Sequence, residues 1–374
     1  MTEIRIGVIN SMTGENAMTG VEQKWAQEQA AADINAKGGI KLGGKMLPIK
    51  LVFADDKSQP TDAAASMERL INLEKVKIIL GSNTTPINEA AATVAEKYKA
   101  YFHINTSWLD FIDSMDYQWV SDMFFTAPSA AEVPYQIWDL QPAADRPKSI
   151  ALLMEDNPDG QGFGGGFKAF AEQHGYKITV DEPYTPGTKD FSSTILKMKQ
   201  ANADAVLWLG SPPDSITLIR GIKEQQLNLK YIHGWKGFWN TEFQKALGKD
   251  SDYIIHDGFW AETLPFPGAK ELGQKFKDTH GGLDSVSIGL PYASLQVLAM
   301  AIERAGSLDP AAVRDQVWGG TFKGTVNGDV TYNAEGLSFS PSLALQWWQG
   351  QRMPIWPAGL SDWQLKWMPP WNQR

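Results

Sequence analysis

Lys75–Ala90 reads KVKIILGSNTTPINEA, and its two halves belong to different kinds of structure. Val76, Ile78, Ile79 and Leu80 form a short apolar run ending at Gly81, as a buried strand does. Ser82, Asn83, Thr84 and Thr85 then lead into Pro86, and small polar residues followed by Pro in the first turn mark the start of a helix. A strand-to-helix junction of this kind offers backbone N–H groups, hydroxyl donors and the positive end of a helix dipole, so it can hold a carboxylate or another small anion. An ordinary capped turn accounts for the same residues, and the choice between the two rests on the rest of the chain.

The chain has 374 residues, enough for two domains with separate cores. With 43% hydrophobic and 21% charged residues it has the composition of a soluble globular protein. A net charge of −9 and no Lys/Arg cluster argue against nucleic acid or an anionic membrane surface as a partner. With no cysteine there can be no disulfide, thiolate metal site or Cys nucleophile. No apolar run approaches the ~18 residues of a membrane span. The chain opens directly on the strand-like Ile4–Ile9, so an exported form implies a signal peptide already removed. Fifteen Trp are several-fold above ordinary usage, which calls for burial, a ligand surface, or both.

Outward from the junction, strand and helix patterns alternate with short loops. Ile4, Ile6 and Val8 alternate as in a strand, and Val21, Trp25 and Ala32 fall on one face of a helix stopped by Gly38-Gly39. Ile49–Phe53 is a second strand ending in Asp55-Asp56, with a helix from Pro60 to Ile71; Tyr101–Ile104 is a fourth, ending in Asn105-Thr106-Ser107-Trp108. The pattern restarts with strands at Ser149–Met154, Ile178–Val180, Ala205–Leu209 and Tyr231–His233, separated by helices at Phe167–His174, Phe191–Gln200 and Ile216–Gln225. This is the signature of an α/β fold made of two doubly wound parallel units. Ligands in such sheets gather at the carboxyl ends of strands, where Thr19, Thr85 and Thr106 fall. The helix Ile288–Ala305 is expected to return to the first unit, Thr331–Trp348 to form strands around an Asn333–Gly336 turn, and the Trp/Pro-rich tail from Met353 to be irregular.

One motif competes. Gly160-Gln161-Gly162-Phe163-Gly164-Gly165 is a literal GxGxxG, with Asp181 at the end of the next strand, and supports an NAD-dependent oxidoreductase as an alternative. The fingerprint needs its first Gly directly after the strand; here Glu155, Asp156, Asn157, Pro158 and Asp159 intervene, and three of the five are acidic. The five His show no metal-ligand spacing and no GxSxG elbow occurs, so no metal, cofactor or catalytic residue is expected.

The segments IGVINSMTGENAMTG, AAADINAKGGI, FADDKSQP, GSNTTP and KDFSSTILKMKQANADAV resemble the leucine/isoleucine/valine-binding (type I) periplasmic solute-binding proteins of ABC transporters, in register from about Ile4 to Gln349. The resemblance implies two lobes, 1–125 plus 261–329 and 126–260 plus 330–374, joined by three hinge crossings near Thr126, Ala261 and Asp329 and closing on a small ligand. It implies a periplasmic or extracytoplasmic monomer, an ABC permease as partner and a non-catalytic role. Thr85 and Asn105-Thr106-Ser107 match carboxylate-binding positions, Thr19 a loop contact, and Phe163, Ser211 and Lys236 second-lobe contacts. Amino-acid binders of this family place an acidic residue near Lys236, whereas Tyr231–Thr241 contains none. A Lys facing an ammonium is repulsive. With Trp108, Phe163, Trp208, Trp235, Phe238 and Trp239 near strand ends, the ligand expected is therefore an aromatic or otherwise apolar carboxylate. A branched-chain or aromatic amino acid, or its amide, is the alternative within the fold.

Overall fold

A computed structural model describes residues 2–359 and 361–374. The chain divides into two compact units: one holds the residues up to Thr126 with Phe259–Asp278 and Ser285–Pro341, the other Ala127–Gly258, Thr279–Asp284 and Ser342–Arg374.

The first unit is built on a six-stranded sheet, parallel throughout, in the order Leu337–Phe339, Val120–Phe124, Tyr101–Ile104, Ile78–Leu80, Ile4–Asn10, Ile49–Asp55. Its central strands are buried on both faces and read as unbroken apolar runs for that reason. The helices Pro60–Asn72 and Thr85–Tyr98 cover one face, burying Met67, Leu70, Ile87 and Ala91 against Ile9, Ile79 and Phe102. Chain order reverses at Ile4–Asn10: the next strand lies on one side of it, and the following three step away on the other. The crevice between Ile4–Asn10 and Ile78–Leu80 is thus the topological switch point.

The second unit has seven strands in the order Gln351–Trp356, Leu343–Trp348, Ile255–Gly258, Tyr231–Gly234, Ala205–Leu209, Ile150–Glu155, Ile178–Tyr184, with the first two antiparallel and the rest parallel. Its switch point lies between Ile150–Glu155 and Ala205–Leu209.

Three expectations are corrected. The helix expected over Phe167–His174 starts earlier and takes in the glycine run: Pro158–His174 is one helix, capped by the Asn157 side chain, which accepts from Gly160 N at 2.9 Å. A Cβ at Gly160 would sit 1.9 Å from the Glu155 carbonyl oxygen and one at Gly166 3.1 Å from Ala131, so the missing side chains serve close packing. Leu337–Phe339 pairs in parallel with Asp122–Phe124, which puts the chain up to Pro341 in the first unit and not, from residue 330, in the second. Met353 is not in an irregular tail but in the strand Gln351–Trp356.

Candidate functional site

In the first unit, hydroxyl and amide side chains meet at the strand ends around the switch point. Ser11, after Ile4–Asn10, donates to Asp56 at 2.7 Å, and Ser82, after Ile78–Leu80, donates to the other Asp56 oxygen at 2.5 Å. The two serine oxygens are 3.4 Å apart. Asp56 also accepts from Ser58 N, and burial raises its pKa against the pull of these bonds. The predicted residues cluster around this core. Thr106 donates to the Ser82 carbonyl at 2.8 Å, and Ser107 accepts from Asn88 at 2.9 Å. Thr85, the first residue of Thr85–Tyr98, accepts from Trp108 N at 3.2 Å. That helix has no side-chain cap, as an N-terminus open to an anion requires. Asn105 is fully buried, and among the described residues its Nδ2 has no partner.

Two roles change. Thr106 was expected to donate to a carboxylate, but its hydroxyl proton is already given to Ser82 O. Thr19 is not in a loop; it lies buried on the helix Ala17–Ala36, whose buried face is polar, with Glu22, Gln23 and Gln27. That helix is tied to the junction through Asn83, which donates to Asn16 O at 3.4 Å, and a Cβ on Gly20 would meet Ser11 O at 1.9 Å.

In the second unit the switch point is charged. Lys236 lies 2.6 Å from Glu155 Oε2 and 3.5 Å from Asp159 Oδ2, and all three residues are buried. The acidic partner that Tyr231–Thr241 lacks is thus supplied by residues some eighty positions earlier. The Lys236 ammonium is thus held between two carboxylates. Ser211 caps Pro212–Glu224, and a Cβ at Gly237 would lie 2.8 Å from Ser211 O, so the turn carrying Lys236 packs against this helix start. Asp214, in the same helix start, has a raised pKa, chiefly from burial and in part from the charge of Glu155.

The aromatic residues are mainly core. Trp235 stacks on His233 at 4.6 Å and meets Phe163 edge-on at 4.5 Å, and all three are fully buried. Trp208 stacks on Tyr184 and donates to Ser215 at 2.7 Å, while Phe238 packs on Phe243. In the first unit Trp108 packs on Phe124 and Phe125. Glu155, Asp159, Ser11, Asp56 and Ser82 were not singled out as site residues; the only local signal for them is a polar residue at or just beyond a strand end, or in the first turn of a helix.

Residues 3–351 match the periplasmic binding protein family, and the chain belongs to it. Members are receptors, not enzymes; they bind small molecules outside the cytoplasm and deliver them to ABC permeases. The chain is 29% identical to a Leu/Ile/Val-binding protein homolog of Brucella abortus over 355 residues, covering 93% of this chain and 91% of the relative. An amino acid binding protein of Pseudomonas aeruginosa is 29% identical over 356 residues, with the same coverage. Among solved structures, the Streptococcus pneumoniae branched-chain amino acid binding protein LivJ in complex with isoleucine has a TM-score of 0.83 at 21% identity, covering 94% of this chain and 99% of that one. A Rhodopseudomonas palustris solute-binding protein in complex with 4-hydroxybenzoate has a TM-score of 0.80 at 18% identity, covering 98% and 97%. These structures share the fold.

Proposed function

We propose that this receptor captures a small organic carboxylate and hands it to an ABC permease, with the ligand's carboxylate bound at the strand ends of the first unit. The observation that carries this is Asn105 Nδ2, a buried donor without a partner among the described residues, beside a helix start that no side chain caps. Buried donors are nearly always paired, and a carboxylate oxygen supplies the missing acceptor. The Thr85 hydroxyl, whose oxygen takes the Trp108 N–H, has its own proton to give. Thr19, Thr106 and Ser107 frame the cradle, and Trp108 forms its apolar side.

An aromatic or apolar body on the ligand fits the apolar surroundings but loses its main support, because the rings of the second unit pack on one another. The amino-acid alternative gains from the Glu155 and Asp159 carboxylates beside Lys236, which remove the repulsion expected of a bare Lys. Isoleucine and 4-hydroxybenzoate, bound by two proteins of this fold, both combine a carboxylate with a hydrogen-bond donor. Calorimetric titration with isoleucine, phenylalanine, benzoate and 4-hydroxybenzoate tests the proposal. At least one should bind at micromolar concentration or tighter, and silence from all four would overturn it.

A further inference from the structure

We infer that Asn88 is a positioning residue for anion binding in the first unit: its side-chain amide ties the turn after Ile78–Leu80 to the turn after Tyr101–Ile104 and leaves the Ser107 hydroxyl with a proton to give to the ligand's carboxylate. This deepens the carboxylate assignment above and rests on it. Asn88 lies on the helix Thr85–Tyr98 and is fully buried. Its Oδ1 accepts from Ser82 N at 2.8 Å, and its Nδ2 donates to Ser82 O at 3.2 Å and to Ser107 Oγ at 2.9 Å. A backbone N–H can face only the oxygen of the amide, so the bond from Ser82 N fixes Nδ2 as the group that meets Ser107. One side chain thus engages both backbone groups of Ser82 and the hydroxyl of Ser107. A Cβ at Gly81 would sit 2.9 Å from Asn88 Oδ1, so the glycine at the strand end makes room for this clamp.

The direction of each hydroxyl at these strand ends follows from what its oxygen receives. Ser11 and Ser82 give their protons to Asp56, and Thr106 gives its proton to Ser82 O. The Thr85 and Ser107 oxygens instead receive N–H donors, from Trp108 N and from Asn88 Nδ2, and among the described residues neither hydroxyl donates to another group. A hydroxyl whose oxygen accepts from a fixed N–H has its own proton left for another acceptor, and an ionised carboxylate is a stronger acceptor than a neutral oxygen. Asn88 therefore acts on the ligand through Ser107: without the amide, the Ser107 oxygen is released to rotate and its proton loses a fixed direction.

The test is a double-mutant cycle read by calorimetric titration of the full chain with isoleucine, phenylalanine, benzoate and 4-hydroxybenzoate. Ser107→Ala and Asn88→Ala should each weaken whichever of the four the parent binds by about tenfold. The double variant should be no more than about twofold weaker than Asn88→Ala alone, because the amide acts through the hydroxyl. A purely structural role for Asn88 predicts independent losses instead, which multiply to about a hundredfold in the double variant. Asn88→Asp keeps the size and the acceptor for Ser82 N but takes the Ser107 proton for itself and sets a charge beside the anion. It should weaken binding at least about a hundredfold, and it serves where Asn88→Ala does not fold. Parent affinity in Ser107→Ala, in Asn88→Ala or in Asn88→Asp, or multiplying losses in the cycle, overturns the inference while leaving the receptor for carboxylates intact. Absence of binding of all four by the parent overturns the carboxylate assignment and the inference with it.

Discussion

The strand ends of the two units solve one problem with opposite chemistry. In the first, the acidic group at the switch point, Asp56, is wrapped by Ser11, Ser82 and the Ser58 amide, and Asn105 Nδ2 is a donor without a partner among the described residues. In the second, the acid, Glu155, is held by an ammonium, and its Oε1, an acceptor, has no partner among the described residues. Neutral donors around a shielded acid suit an anion, whereas a Lys outnumbered by carboxylates suits a donor or a cation. The same α/β scaffold thus carries different chemistry at the strand ends of its two units, and the residues that differ are few.

The largest effect expected from breaking this contrast is that of Asn105→Asp. It replaces the free amide donor by a carboxylate in a fully buried position, where like charges are costly. Affinity for whichever acid binds the parent should fall at least hundredfold by calorimetry, and retained affinity would remove Asn105 from the site. Thr85→Val should weaken binding about tenfold by deleting one hydroxyl donor. It should also lower stability by about 1–2 kcal/mol, because the hydrogen bond from Trp108 N to the Thr85 hydroxyl is lost. Thr85→Ser should restore both, and binding unchanged in the Val variant would leave the junction as a helix start only.

The smallest effect concerns acid stability, where the two units differ in buried imidazoles: His103 in the first, His233 and His256 in the second. Burial lowers the pKa of His103 and His233 to about 3. A folded pKa below the unfolded value near 6.5 gives stability that is present above pH 6.5 and lost as pH falls toward 3. His233→Phe keeps a ring against Trp235 and removes the titrating group. Urea unfolding at pH 7 and pH 4.5 should show the variant losing less stability than the parent by up to about 2–3 kcal/mol. An identical loss in both proteins would assign the acid sensitivity to other groups.

What was legible in the chain follows from the range of the interactions involved. Strands such as Tyr101–Ile104 and Ala205–Leu209 stand where their apolar runs put them, and the helix after Thr84 starts at its Pro signal, because these are local effects of burial and backbone chemistry. The helix Pro158–His174 was read too short because glycine argues against helix locally, while the reason for Gly160 and Gly166 is a neighbour's approach that the local pattern does not encode. Lys236 lacked an acid in sequence because its partner comes from a different strand of the same sheet, 81 residues away. The aromatic residues were assigned to a pocket from their position near strand ends, yet Trp208, Trp235 and Phe238 turn into the unit's interior, where burial of large rings outweighs proximity to a site.

The carboxylate assignment itself is tested by titrating the parent with the tightest-binding acid found and with the primary amide of that acid, which keeps the shape and removes the charge. If the strand ends around Thr85 and Asn105 hold an anion, the amide should bind at least tenfold more weakly, and Asn105→Asp should reduce that preference. Equal affinity for acid and amide in the parent would contradict the account.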